Sequence, residues 1–471
     1  MSTTDVVQLN GATISVDTNT LAAFIGAIIT PDDSVYDEAR QVWNATIDRT
    51  PGLIVRPTGS ADVQAAVRFA STHDLLVSVK GGGHNIAGSA VCEGGLMIDL
   101  SMMRSVRVFP EERRVSVQGG ALLGDVDHET QAFGLAVPLG INSTTGVGGL
   151  ALGGGFGWLS RAFGHTADNI LAMDVVTPDG AFHHATAEQN ADLFWALRGG
   201  SGNFGVVTSF DFKCHPVDPS FLSGPVVHRL QDAKSVLTEY RRLALTLPDE
   251  ATCWTVLRKA PPLPFLKESD HGQTVLILAM TYAGDIESGE RALAPLREIG
   301  SPIGDGVSPH PYAGWQAAFD PLVAPRARNY WKSHDFVDLN DSVIDLMVEA
   351  AQSLPSNECE IFTAQLGGAA GRVAPDQIAF PHRGHNFTMN IHGRWQDQTQ
   401  DDECIEWVRR LFEIAGAHAT GSVYVNFVPE IEDGRAVGPY GANQKRLEGI
   451  KRSVDPQNRF RSNINIAPAC G

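Results

Sequence analysis

Positive charge is what this chain most lacks: 36 Lys and Arg stand against 54 Asp and Glu in 471 residues, a formal net charge of -18. That balance argues against nucleic acid and against an anionic membrane surface as partners. No apolar run reaches the roughly 18 residues that a membrane-crossing helix needs. The opening stretch, MSTTDVVQLNGATISVD, has no basic segment followed by an apolar core, so no secretory leader is expected. Cysteine is scarce too. Cys92, Cys214, Cys253, Cys359, Cys404 and Cys470 are scattered without a CxxC pair, which points to reduced thiols, no metal site and a cytoplasmic location. Internal repeats and low-complexity tracts are missing, and the length predicts two or three domains.

Glycine is abundant, 48 residues in all, and it is concentrated. The first dense segment is Val77 to Leu100, VSVKGGGHNIAGSAVCEGGLMIDL. Apolar residues alternate on both sides of the glycines, as in half-buried strands joined by a tight turn. Gly81, Gly82 and Gly83 remove three consecutive Cβ atoms and let backbone N–H groups converge on an anion such as a pyrophosphate. Lys80 adds a cation at the mouth, and His84 follows at once. A neutral imidazole there is a nucleophile for an electrophilic carbon; a glycine-rich hairpin with a hydrogen-bonded histidine is the simpler alternative. The second segment is GVGGLALGGGFG, Gly146 to Gly157, followed by Asp168 and Asn169; the third is RGGSGNFGVV, Arg198 to Val207. Flexible linkers are polar and Ser-rich. These runs are interleaved with Val, Leu, Phe and Trp, so they read as packed loops against which something flat and phosphate-bearing can lie.

Between these segments the chain alternates strands with helices. Ser60 reads as the cap of a helix whose Val63, Ala66, Val67 and Ala70 share one face. From about 218 to 420, apolar alternation at 226–230, 255–258, 275–282, 360–366 and 386–392 predicts an antiparallel sheet with helices between its strands, such as 342–352. The fold class expected is α+β, with residues 1–217 as one unit, 218–420 as a second, and 421–471 returning to the first.

The ordered set KGGGH, TGVGGLALGGGFGWLSRAFG, ADNI, DVVTPDG, DLFWALRGGSGNFGVVTSFDF and YGANQKRLEGIKRSVDPQNRFRSNINI resembles the vanillyl-alcohol oxidase and para-cresol methylhydroxylase superfamily of flavoproteins, in its bacterial berberine-bridge-enzyme-like branch. The resemblance implies a para-cresol methylhydroxylase-type FAD domain and an antiparallel substrate domain. It places FAD against Lys80, Gly81, Gly82, Gly83, His84, Asn85 and Ser89. From the second segment it adds Thr145, Gly148, Gly149, Gly153, Gly155 and Gly157, then Asp168 and Asn169. The third contributes Gly202, Asn203, Gly205 and Val207, and the C-terminal motif Tyr440, Asn443, Asn463 and Asn465. An asparagine reads a flavin edge with a donor and an acceptor; the same residue also serves turns and caps. His84 is the residue that bonds the flavin 8α-carbon in this family. Many members add a cysteinyl link four positions before the GVGG turn, where this chain has Asn142, so no second link is expected.

For chemistry, the resemblance sets Thr145 beside the reactive edge of the flavin, where a small hydroxyl residue is compatible with dioxygen access; a strand-end threonine satisfied by backbone is the other reading. Glu360, flanked by Ile361 and Phe362, is the first candidate for a base, raised toward neutrality by burial, or else an outward charge on a sheet edge. Tyr282 and His385 are the next. Trp254, Trp315, Tyr330 and Trp395 are further candidates for the cavity wall. Three functions fit: an FAD-dependent oxidoreductase acting on a small alcohol, amine, phenolic or polyketide-like molecule with dioxygen as acceptor, a flavin oxygenase, and a non-catalytic flavin binder. Substrate identity and oligomeric state stay open.

Overall fold

A computed structural model describes residues 3–21, 23–429, 438–462 and 464–469. Its first sheet contains strands β1 (Ala27–Ile29), β2 (Leu53–Arg56), β3 (Val77–Lys80) and β4 (Leu96–Asp99), in the order β1-β2-β4-β3. β3 and β4 run parallel, Val77 opposite Leu96 and Lys80 opposite Asp99. The expected hairpin is therefore wrong. Parallel neighbours need a crossover, and the glycines and His84 lie in it, at the C-terminal end of β3. β4 is buried along its whole length, which explains why alternation misread it as half-buried. The helix Ser60–Thr72 covers this sheet with Val63, Ala66, Val67 and Ala70, each at most 1% exposed. Ser60 does not cap it: its hydroxyl bonds Thr208, and Asp62 accepts from the Thr58 N–H and hydroxyl instead.

A second sheet is built from β5 (Val106–Phe109), β6 (Arg114–Gln118), β7 (Ile170–Val176), β8 (Phe182–Ala185) and β9 (Val206–Lys213), ordered β8-β7-β9-β6-β5. The third glycine segment runs into β9, while the second, which contains the helix Val147–Leu152, lies in the connection between β6 and β7.

The third sheet is eight-stranded and antiparallel. Its main strands are β10 (Ser220–Arg229), β11 (Ala251–Lys259), β12 (Thr274–Tyr282), β13 (Arg328–Phe336), β14 (Glu360–Gln365) and β15 (Phe387–Trp395), in the order β10-β12-β11-β14-β15-β13. Alternation decides its two faces. Cys253, Leu257, Leu276, Leu278, Met280, Ile361, Met389 and Ile391 pack under the helices Ala233–Ala244, Asp341–Ala351 and Asp401–Ala415. Trp254, Val256, Arg258, Ile277, Ala279, Glu360, Phe362, Asn390 and His392 point the other way, toward the glycine loops.

The C-terminal segment returns to the first half. Asn203 donates to Ser462 Oγ and the Ile464 carbonyl and accepts from the N–H of Ile466. Buried Lys451 bonds the carbonyls of Asn203 and Phe460 and the carboxylate of Asp455. Among the described residues no helix is long and apolar enough to cross a membrane, and no group of His, Cys, Asp and Glu is set to hold a metal.

Candidate active site

Between the glycine loops and the bare face of the third sheet lies a cavity of about 350 Å³. Its floor is backbone. Gly82 and Gly146 meet back to back: a Cβ on Gly82 would fall 2.3 Å from Gly146 N, and one on Gly146 would fall 2.2 Å from Gly82 N. Gly149 and Gly202 also line the cavity, and a Cβ on either would have no atom within 4 Å. The first pair lets two loops abut; the second pair leaves a smooth surface against which a flat, phosphate-bearing group fits.

His84 stands at the edge of that floor. Its ring stacks on Trp43 (centroids 5.1 Å apart, 21° between planes), and the Arg394 guanidinium lies 5.5 Å from the Trp43 ring. His84 Nε2 is 3.1 Å from Thr144 Oγ1. Burial pushes the imidazole down to about 3, the backbone of Thr144 offsetting only part of this, so the ring is neutral at physiological pH. Trp43 is held by its Nε1–H on the Val323 carbonyl, 3.0 Å away. Asn44 exchanges two bonds with the backbone of Asn329, 2.9 and 3.0 Å long.

Across the cavity Glu360 is buried in β14, an interior strand, and not on an edge. Arg258 Nη1 donates to its Oε2 at 2.6 Å, and His392 Nδ1 lies 3.4 Å from its Oε1. His392 Nε2 lies 3.0 Å from Asn329 Oδ1. Burial raises the Glu360 carboxyl, but Arg258 and His392 outweigh it and hold the group below the usual carboxylate range. The expectation of a base raised toward neutrality is thereby corrected: Glu360 is an ionised carboxylate. Beside it, both amide atoms of buried Asn390 and the Nε1–H of Trp331 have no hydrogen-bond partner among the described residues, and both side chains line the cavity. Trp254 and Phe362 lie face to face, 5.9 Å and 5° apart, forming an aromatic wall.

Of the residues expected to hold a cofactor, Gly81, Gly82, Gly83, His84, Asn85, Ser89, Thr145, Gly148, Gly149, Gly202, Gly205 and Val207 line this cavity. The rest do not. Lys80 does not line it; its ammonium bonds the Ala39 carbonyl and lies 3.8 Å from Asp99. Gly153, Gly155 and Gly157 are packing glycines whose Cβ atoms would strike Asn426, Thr166 and the Leu139 carbonyl. Asp168 pairs with Arg383 at 2.6 Å, and Asn169 bonds the Phe163 and His165 carbonyls. Asn203 clamps the C-terminal segment, as described. The Tyr440 hydroxyl donates to the Ile464 carbonyl, and Asn443 donates to the Pro375 and Ile378 carbonyls. Asn465 is exposed, and Asn463 lies outside the described residues.

Tyr282 is also misplaced by the sequence reading: it lies with the helix-facing residues, on the opposite side of the sheet. His385 sits 3.6 Å from buried Asp335, outside the cavity lining. Among the other aromatic candidates only Trp254 reaches the cavity. Trp43, Thr144, Arg258, Trp331, Asn390 and His392 are site residues that sequence reasoning did not single out. One signal for them was present: Asn390, His392 and Arg394 recur with a period of two in a run otherwise apolar, so three polar groups share one buried face.

A backbone floor facing an aromatic wall with a buried carboxylate leaves room for a flat cofactor on one side and a small organic molecule on the other. An FAD-binding-domain family matches residues 51–186, and a "berberine and berberine like" family matches residues 423–467. An FAD-linked oxidoreductase of Dictyostelium discoideum is 32% identical over 432 residues, 90% of this chain and 91% of the relative. The crystal structure of 6-hydroxy-D-nicotine oxidase from Arthrobacter nicotinovorans superposes with a TM-score of 0.85 at 25% identity, covering 96% of this chain and 100% of that one. The berberine-bridge-enzyme-like protein 1 of Physcomitrella patens shares the fold, with a TM-score of 0.86 over 96% and 99% of the two chains at 23% identity. This chain belongs to the berberine-bridge-enzyme-like family of FAD-linked oxidoreductases.

Proposed function

We propose that the protein oxidises a small, flat organic molecule bound against the Trp254–Phe362 wall, with FAD held covalently through His84 and dioxygen as the final electron acceptor. Residues 1–217 and 421–471 hold the cofactor in this reading, and 218–420 bind the substrate. The observation that carries it is the opposition, across one cavity, of the half-buried His84 imidazole stacked on Trp43 and the buried Glu360 carboxylate paired with Arg258.

When bound, FAD supplies the two-electron acceptor. The Gly81 to Gly83 turn, Gly149 and Gly202 hold it without side-chain obstruction. Glu360 takes the proton that the substrate sheds, and Arg258 and His392 keep the carboxylate ionised and fixed until it does so. The unpaired amide of Asn390 and the N–H of Trp331 orient the substrate, since a buried polar group left unbonded costs about 1–3 kcal/mol that a matching ligand recovers. Thr145 lines the cavity with its backbone anchored to Leu123 N and Asn142 O, leaving a small hydroxyl side chain where oxygen must enter. Phe427 and Trp254 exclude water from the same space.

Acid precipitation tests the linkage, because colour that stays with the protein marks a covalent flavin. An anaerobic screen of alcohols, amines, phenols and sugars tests the reaction by bleaching of that colour. A protein that no electron donor bleaches would end the enzymatic reading. Label from oxygen gas appearing in the product would replace oxidation by oxygenation.

A further inference from the structure

Behind one wall of the cavity a buried carboxyl group faces a buried carboxamide. Asp127, on the helix Leu123–Gln131, and Gln316, at the end of the helix Tyr312–Gln316, are each 1% exposed. Gln316 Nε2 donates to the Gly140 carbonyl at 2.9 Å and to Asp127 Oδ2 at 3.2 Å. A carbonyl only accepts, so this end of the amide is the nitrogen and both its hydrogens are in use. Two acceptors are left over: neither Asp127 Oδ1 nor Gln316 Oε1 has a hydrogen-bond partner among the described residues. Each would carry the cost of a bond unmade in the interior. A single proton on Asp127 removes both deficits, because a carboxylic acid and a primary amide pair edge to edge through two hydrogen bonds. Burial favours that neutral form, raising the carboxyl to about 7 against the partial opposition of Gln316.

We propose that Asp127 is a positioning residue held as the neutral acid, its Oδ1–H donating to Gln316 Oε1 to close a two-bond pair that sets one wall of the substrate cavity. Gln316 leads directly into that wall. Phe319, Leu322 and Val323 line the cavity, Phe319 stacks on Trp158 with centroids 5.7 Å apart, Asp320 accepts from the Ser143 N–H at 3.0 Å, and the Val323 carbonyl holds Trp43. The pair thus ties the helix Leu123–Gln131, the Gly140 loop and residues 316–323 into one unit. Other titratable groups nearby leave the proton to Asp127. Tyr312, on the facing helix, is raised well above its ordinary value by burial and stays a neutral hydroxyl. β5 brings Arg107, whose guanidinium lies 4.9 Å from the Phe109 ring, and the strand Leu135–Ala136 brings no titratable group. On the helix of Asp127 itself, Asp125 pairs with Arg104, and His128 and Glu129 are exposed.

The closed site keeps its proton up to about pH 7, whereas an aspartate exposed by opening loses it near about 3.9. Opening therefore becomes easier by up to about tenfold per pH unit between those values and levels off above them. Hydrogen exchange of the FAD-loaded protein reads this directly. With the intrinsic pH dependence divided out, the amides of 312–323 are expected to exchange up to about 100-fold faster at pH 7 than at pH 5. In Asp127→Asn the carboxamide offers Gln316 the same two bonds and does not titrate, so its rates at the two pH values agree. Infrared difference spectra between pH 5 and pH 9 are expected to show a protonated-carboxyl stretch in the wild type that Asp127→Asn lacks. Absence of that band, wild-type exchange as flat as that of the variant, or an Asp127→Asn protein that does not fold overturns the proposal.

Discussion

Replacing Arg258 by Met inverts the way Glu360 contributes to stability. In the native protein the carboxyl sits below its ordinary value because Arg258, 2.6 Å away, and His392 overcome burial. A carboxyl held low favours the fold at any pH above its unfolded value and loses that contribution as acid carries the pH down through the folded one. An adjacent guanidinium lowers a carboxyl by about 1–3 pH units. Without it burial dominates, and Glu360 rises above the unfolded value of about 4.3. The folded state then binds the proton more tightly than the unfolded chain, so stability falls as pH rises through the window between the two values. Each unit by which the folded value exceeds the unfolded one costs about 1.4 kcal/mol of stability once the pH has passed that window. Thermal melts of Arg258→Met at pH 5 and pH 8, referenced to the Arg258→Met/Glu360→Gln double variant, isolate this contribution from all other titrating groups. With a substrate in hand, the same variant moves the acid limb of flavin reduction upward, while Glu360→Gln alone slows reduction by about 100-fold or more. Identical pH dependence in the single and double variants would refute the assignment of Arg258 as the group that controls Glu360.

Gly149→Val is expected to lose bound FAD while the protein still folds, because the added carbons enter open cavity; Gly82→Ala is expected to unfold the site, since its Cβ would lie 2.3 Å from Gly146 N. Flavin absorbance alongside thermal melts separates the two, and a yellow Gly149→Val protein would contradict the placement of the cofactor floor. Acid sensitivity comes from buried histidine: burial, with Arg383 adding to it, pushes His165 down to about 3. Below its ordinary value of about 6.5 the unfolded chain takes up a proton that the native site refuses, so stability falls with pH by about 1.4 kcal/mol per unit down to that value. Urea titrations from pH 7 to 4 measure the slope, and His165→Gln flattens it.

What the sequence made legible was local. The first glycine segment follows the end of β3 and the third leads into β9, and period-two alternation placed the strands around Val256, Ile277, Ile361 and Ile391. β13 escaped notice because RNYWKSHDF puts charged and polar side chains on both faces, and only tertiary partners such as Asp335 with Thr388 and Ser422 make them buriable. Glu360 was visible as a carboxylate in an apolar strand, but its ionisation depends on Arg258 and His392, contributed by two neighbouring strands. Asp168, Asn169, Asn203 and Asn443 misled for one common reason. A side chain suited to reading a ligand edge is equally suited to satisfying stray backbone groups, and spacing does not distinguish the two.

Trp43, which stacks on His84, is pinned to Val323, and its neighbour Asn44 to Asn329, some 280 residues later in the chain; Asn203 waits on residues 462 to 466. Synthesis runs from the N-terminus at about 5–20 residues per second, so the glycine turns emerge from the ribosome well before the groups that close over them. The flavin site is thus closed only after the segment around residues 462 to 466 has been synthesised. Until then the nascent chain leaves the glycine loops uncovered, and transiently exposed apolar surface of this kind is prone to aggregate.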